Sequence, residues 1–408
     1  MGFIKNRRDA FIAFNNRDFS WYWVGLLLSF NGMNMTNVAR GWLVYTLTDS
    51  AFYLGLVTAG FGIPLLLFSL HAGALADRLR KRNVLLFCRA GTGLVSLAIA
   101  VLITIDRIAV WHLMAASVVS GTFFVFYLPA RQAFVRELVS DDALLNAVAL
   151  NSIAMNISRI ASPALAGVLM KWIGAGGVYW IITVSSALTI LTLFMIPAGQ
   201  PAPAERRAVP ILKDVAEGLR HVMNNRIILV LMMIAFVPFL TTMSYQMLLP
   251  VFAKSVFGSG ETGLGLLMSA TGVGALIGAA TLASAGDIRH KGLWTIITGV
   301  GLGAALFLFG LTRSMPLALA CLLMAGASGS VYMALNMTLL MGYTPQDLMG
   351  RVMSIYMITF GLTPVATLIA GALAQVVGAS LTVVFFGLFM ILFLMIVFVM
   401  EPRLRKLN

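Results

Sequence analysis

Carboxylates are scarce in this sequence. Only 15 of its 408 residues are Asp or Glu, and none falls in the middle of a long apolar run. Asp49, Asp106 and Glu261 lie in polar breaks of one set, and the remaining acids lie in the alternate breaks. An enzyme working inside a membrane needs an acid–base pair at depth, so that class has no support here, and a cationic cargo would find no buried counter-ion. Cysteine is scarcer still. Cys88 and Cys321 fall in separate apolar runs in opposite halves, which supports neither a disulfide framework nor a metal site and reads as two small core residues. No phosphate-binding loop, metal-ligand cluster or nucleophile–base set is present, so no cofactor and no metal is expected. Gly272-Val-Gly274-Ala-Leu-Ile-Gly278 and Gly299-Val-Gly301-Leu-Gly303 imitate nucleotide loops. They sit inside apolar runs with no strand before them, a context that fits close helix packing instead. Residues Met1 to Ser20 are polar and basic ahead of a long apolar run, so no cleaved leader is expected.

What is abundant is apolar sequence: 60% of residues are hydrophobic and 11% charged. The apolar residues arrive in blocks of about 20, the length that spans a hydrocarbon core of about 30 Å as helix. The runs lie at roughly 21–47, 52–75, 84–105, 110–128, 146–170, 178–197, 227–251, 263–285, 293–311, 316–341, 352–376 and 379–400. The pattern predicts an all-α polytopic membrane protein of twelve transmembrane helices. A net charge of +13 would fit a nucleic-acid partner, but the charges are distributed by topology. With both termini inside, the outer loops carry only Arg107, Lys171, Lys254 and Arg313, while the cytoplasmic segments carry nearly all the other Lys and Arg. That asymmetry orients the chain with cytoplasmic termini in a bacterial-type inner membrane. The basicity then belongs to lipid headgroups, and no nucleic acid is expected.

The chain also repeats itself. Ala166-Gly167-Val-Leu-Met-Lys-Trp-Ile-Gly174-Ala175 returns 204 positions later as Ala370-Gly371-Ala-Leu-Ala-Gln-Val-Val-Gly378-Ala379. A second echo pairs Leu54-Gly55-Leu56 with Leu264-Gly265-Leu266, Gly62 with Gly272, and Asp77 with Asp287. Two colinear echoes near half the chain length predict two pseudo-symmetric six-helix halves, 1–197 and 227–408. Between them, 198–226 is the longest polar stretch, and Leu212, Val215, Leu219 and Val222 predict an amphipathic interfacial helix within it.

After the second run the chain reads Gly73-Ala-Leu-Ala-Asp77-Arg78-Leu-Arg80-Lys81-Arg82. This resembles the signature loop between the second and third helices of the major facilitator superfamily, with Arg80 where that family usually has glycine. The resemblance implies a gating latch of Gly73, Asp77, Arg78 and Arg82, in which the Asp ties the loop to neighbouring helix ends and the basic residues guard the cytoplasmic mouth. Pro129-Ala-Arg131-Gln-Ala-Phe-Val-Arg136-Glu137, Leu145-Asn146-Ala-Val-Ala-Leu-Asn151-Ser152, Asn156-Ile-Ser-Arg159-Ile-Ala-Ser162-Pro163-Ala-Leu-Ala-Gly167 and Gly350-Arg351-Val-Met-Ser354 are similar to the branch that contains the macrolide and enterobactin exporters. Ser162-Pro163 stands where the antiporter form of that motif has Gly-Pro. The resemblance implies alternating access, outward transport and a substrate path between the halves.

Helical periodicity supplies candidates for that path. Ser152, Asn156 and Arg159 share one face of the fifth run; Tyr356, Phe360 and Thr363 face the path at the 204-residue offset. Asn34, Asn37 and Arg40 add to it from the first run, Phe239, Met243 and Gln246 from the seventh, and Tyr332 and Asn336 from the tenth. A charge inside the hydrocarbon costs at least about 2.5 kcal/mol, so Arg40 and Arg159 need a partner or a wet cavity. Arg159 reads as a cavity residue; Arg40 reads equally as a cavity residue or as one that bonds helix carbonyls. Two arginines and no buried acid suit a small amphipathic or anionic substrate moved against protons or another ion. Coupling would then use Asp49, a cytoplasmic acid or His71. A lipid or lysolipid flippase of the same fold and a non-transporting membrane scaffold are the alternatives, and a monomer is expected.

Overall fold

The computed structural model describes residues 9–197, 219–220, 222–286, 288–346 and 348–407, with the side chains of 9–10, 70–78, 238–243, 354, 357–360 and 406 outside the description. The expected latch side chains Gly73, Asp77 and Arg78 and most of the amphipathic linker helix therefore lie outside the described set. All regular structure among the described residues is helical.

After a short 3-10 turn at Asp9–Asn15 come α1 (Arg17–Thr48), α2 (Ala51–Arg78), α3 (Lys81–Thr104), α4 (Val110–Leu138) and α5 (Asp141–Phe194). Then follow α6 (Arg226–Val251), α7 (Gly260–Ser284), α8 (Lys291–Leu311), α9 (Met315–Tyr343), α10 (Met349–Gly361), α11 (Thr363–Val377) and α12 (Ala379–Met400). The starts have local causes. Asn16 Oδ1 accepts the Asp18 and Phe19 amides at 2.8 and 3.3 Å, and Asn225 Oδ1 accepts the Ile227 and Ile228 amides at 3.1 and 3.3 Å. Each satisfies N–H groups that a helix start leaves without a partner.

Helix covers every expected run, and by length and apolarity alone eight helices among the described residues qualify to cross a membrane. The fifth and sixth runs meet without a loop at Gly174, whose φ 69° and ψ 173° are non-helical and part Asp141–Phe194 into two helical arms. One boundary differs from expectation. The eleventh run is interrupted at Leu362, because the proline ring of Pro364 removes an amide donor and helix restarts with Pro in its first turn. Gly378, between α11 and α12, has φ 89° and ψ 152°. The two glycines paired by the 204-residue echo thus adopt the same right-side backbone conformation, which is essentially confined to glycine. The repeat is a repeat of corners.

The chain forms two compact units, Met1–Leu43 with Ile63–Arg206, and Val44–Gly62 with Arg207–Asn408. In the first, α3 packs on α4 and α5 around Phe19, Leu26, Leu85, Cys88, Phe134 and Leu150. Polar groups tie α1 to α5: Trp23 Nε1 donates to the Leu150 carbonyl at 3.0 Å, Ser185 Oγ to the Leu28 carbonyl at 3.1 Å, and Ser162 Oγ to Asn31 Oδ1.

In the second unit α7 lies on α9, α9 on α8, and α8 on α12. The glycine-rich runs pack as expected: a Cβ on Gly274 would stand 2.0 Å from the Leu323 carbonyl oxygen, and one on Gly326 2.1 Å from that of Thr271. Backbones meet where side chains are absent. Residues 44–62, the α1–α2 tip, belong to this unit. Asp49 pairs with Lys254 at 2.6 Å, Tyr45 Oη and Ser255 Oγ lie 2.8 Å apart, and Ser50 Oγ donates to Gln375 Oε1 at 2.8 Å. Gly55 lies against Thr367 and Gly371 of α11.

Candidate substrate pathway

Along α5 of the first unit, Ala147, Leu150, Ala154, Ser158 and Ala166 are buried, which leaves the opposite face bare. Ser152 and Arg159 are exposed on that face and Asn156 is half-buried. Arg159 has no hydrogen-bond or ion-pair partner among the described residues, and Ser152 returns its hydroxyl to the Val148 carbonyl at 3.0 Å. A guanidinium on a helix of bilayer length needs a partner or a wet surrounding.

Arg40 is placed differently. Its guanidinium donates to Ser117 Oγ and to Asn37 Oδ1, both at 3.1 Å, and Ser117 is fully buried. Neutral oxygens on α1 and α4 thus disperse the charge, so a tie between helices is part of its role. Asn34 Nδ2 donates to the Phe30 carbonyl of its own helix at 2.9 Å.

In the second unit Tyr332 and Asn336 are buried against α6, where Tyr332 Oη donates to the Ile234 carbonyl and Asn336 Nδ2 to the Leu231 carbonyl at 3.2 Å. These bonds join α9 to α6. Tyr356 is buried, Gln246 is half-buried, and Thr363 opens α11, where its carbonyl accepts the Thr367 hydroxyl at 3.0 Å. The side chains of Phe239, Met243 and Phe360 lie outside the described residues. Of the expected latch, Arg82 is described: Nε donates to the Leu193 carbonyl at 2.9 Å and the guanidinium lies 5.6 Å from the Phe194 ring. It caps the carbonyl end of α5, where a cation is favoured.

A further polar feature of the first unit was not read from the sequence. A cavity of about 640 Å³ opens between α1, α4 and α5, with Tyr22, Phe30, Arg131, Gln132, Arg136 and Asn151 among its lining residues. The Arg131 guanidinium lies 5.0 Å from the Phe30 ring and 5.8 Å from the Tyr127 ring, and Arg89 lies 4.2 Å from the same Tyr127 ring. The sequence places Arg131 in the exporter-branch motif but not among the path residues. The spacing Arg89, Tyr127, Arg131 crosses two helices, so no periodicity within one run could bring it together.

The sequence profile of the transmembrane secretion effector family matches residues 9–408. The chain belongs to that family. It is therefore a multi-pass membrane transporter of the major facilitator superfamily and not an enzyme. The transporter is 27% identical over 329 residues to the enterobactin exporter EntS of Citrobacter koseri, a match covering 80% of this chain and 77% of that protein. It is 26% identical over the same length to the EntS of Escherichia coli O1:K1, with the same coverage. Among solved structures it is similar to the nucleoside transporter NupG, with a TM-score of 0.75 at 14% identity covering 94% of this chain and 98% of that one. It is also similar to a bacterial homologue of the human lysosomal transporter Spinster, with a TM-score of 0.70 at 13% identity and 98% coverage of both chains. At such identities the structural neighbours establish the fold alone.

Proposed function

We propose that this transporter exports a small amphipathic, siderophore- or drug-like molecule across the bacterial inner membrane by alternating access, driven by a proton gradient. The reading takes 1–197 and 227–408 as the two six-helix halves of twelve transmembrane helices and 198–226 as a cytoplasmic linker, with both termini in the cytoplasm. The observation that carries it is Arg159: an exposed guanidinium, without a partner among the described residues, beside Asn156 and Ser152 on a bilayer-crossing helix. The absence of buried carboxylates from the apolar runs favours cargo bearing an acidic or carbonyl group over a cation. The EntS relatives support export and a siderophore-type cargo.

The test is flux of catecholate- and macrolide-type compounds in proteoliposomes under an imposed pH gradient, with binding measured in detergent. Arg159→Lys keeps the charge and loses the planar fork, so affinity falls; Arg159→Gln falls further. Loss of a charge-assisted hydrogen bond corresponds to roughly 10- to 100-fold in affinity. Unchanged binding by Arg159→Gln in a protein of lowered thermal stability would make Arg159 structural and remove the proposed path.

A further inference from the structure

The cavity among α1, α4 and α5 is built as an anion site. Arg131 and Arg136 line it, and no Asp or Glu does so among the described residues. Tyr22 is 4% exposed, and its hydroxyl has no hydrogen-bond partner among the described residues although it lines the cavity. Behind them Arg89 lies against Tyr127, and its buried Nε has no hydrogen-bond partner among the described residues. A tyrosine hydroxyl buried without an acceptor costs about 1–3 kcal/mol, and two guanidiniums among aromatic rings hold positive charge that ring faces stabilise only in part. The Tyr22 hydroxyl is itself enclosed, so an oxyanion in the cavity is held by Arg131, with Arg136 also among the lining residues. Gln132, Asn151 and Ser152 add neutral polar groups, and the rest of the wall, through Leu26, Phe30, Val148 and Met155, is apolar, so the ligand carries an apolar body beside its acidic group.

We propose that this cavity, contained within the first unit, binds an amphipathic organic oxyanion, with its carboxylate, phenolate or phosphate held by Arg131 and its apolar body against Phe30 and Met155. The assignment rests on the transport reading only in taking that anion as cargo; the site itself does not use Arg159. Two sources share this chemistry, a soluble organic acid and a lipid phosphate, and the probes separate them.

Purified full-length protein is titrated with 2-naphthoate, with the neutral 2-naphthalenemethanol, and with dioctanoyl phosphatidate, each followed by calorimetry and thermal shift. Wild type binds 2-naphthoate at least roughly tenfold more tightly than the alcohol. Arg131→Gln lowers naphthoate affinity roughly 10- to 100-fold, the range for one charge-assisted hydrogen bond. Asn151→Asp keeps the shape of a lining residue, adds a like charge, and lowers affinity in the same direction; it serves if Arg131→Gln fails to fold. Gly329→Ala, in the second unit and with room for its Cβ, leaves naphthoate affinity unchanged. Preference for phosphatidate over naphthoate assigns the site to lipid and supports the oxyanion chemistry without the cargo role. Equal binding of acid and alcohol, or wild-type affinity in both Arg131→Gln and Asn151→Asp, overturns the proposal. Loss of naphthoate binding in Arg159→Gln alone overturns it too, while leaving the Arg159 pathway standing.

Discussion

A side chain added at Gly55 is expected to force the α1–α2 tip away from α11. A Cβ there would stand 2.6 Å from the Thr367 carbonyl oxygen and 3.2 Å from Gly371 Cα, where ordinary contact begins at 3.4 Å. The shortfall is about 0.8 Å against a backbone atom, which cannot rotate away as a side-chain tip can, and overpacking of this order costs about 1–3 kcal/mol. If opening of this end relieves the clash, that energy shifts the closed-to-open ratio roughly 5- to 150-fold. Thr367 is 1% exposed, so Thr367→Cys places a thiol that reagent reaches only when the contact parts. Cys88 and Cys321 are both buried and contribute little background. In that background Gly55→Val should raise the rate of maleimide labelling by the stated factor. Gly329→Ala, whose Cβ meets Leu302 at 3.6 Å, should leave it unchanged. Wild-type labelling in a Gly55→Val protein of normal thermal stability would refute the view that this packing holds the end closed.

The remaining expectations can be checked with routine variants. On the proposed orientation, Ser259→Cys is labelled from outside intact cells and Ala204→Cys is not; outside labelling at Ala204 reverses the topology. Asp77→Asn, which removes a charge without changing shape, should slow transport while insertion stays normal, and a normal rate would leave the signature loop with a topogenic role only. Gly174→Ala and Gly378→Ala each force a β-carbon into a glycine-only backbone region, at a cost of about 1–3 kcal/mol per site. Both should melt several degrees early, and an unchanged melt at either would remove the corner assignment. Arg40→Gln should lower thermal stability, since its hydrogen bonds to Ser117 and Asn37 are lost, while weakening substrate binding less than Arg159→Gln does.

The spans, the glycine packing on α9 and the paired corners were legible because each is written locally: a run of apolar residues, a small residue every fourth position, a glycine at a fixed offset. Ser152, Asn156 and Arg159 were legible as a face for the same reason. Which face a polar residue turns to another helix is not local. Tyr332 and Asn336 align as a path would require, yet they bond backbone carbonyls of α6, a partner nearly a hundred residues away. The Arg89–Tyr127–Arg131 group was hidden because a run boundary gives only the depth of a basic residue, and aromatic rings from another helix decide whether it points to headgroups or inward. Pro364 marks the break, yet Pro64, Pro129 and Pro163 stand inside helices, so proline alone does not announce one.

The corner at Gly174 also has a mechanical consequence. A loop between two helices spreads displacement over several residues; a corner made at one residue between two helical arms concentrates it there. Arg159 lies on one arm of that corner, and the Leu193 carbonyl that Arg82 grips lies at the end of the other. The same joint at Gly378 links α11, which carries the Gly371 contact, to α12. In each unit two successive helices thus meet with no intervening loop, and any change in the angle between them has a single glycine in which to be taken up.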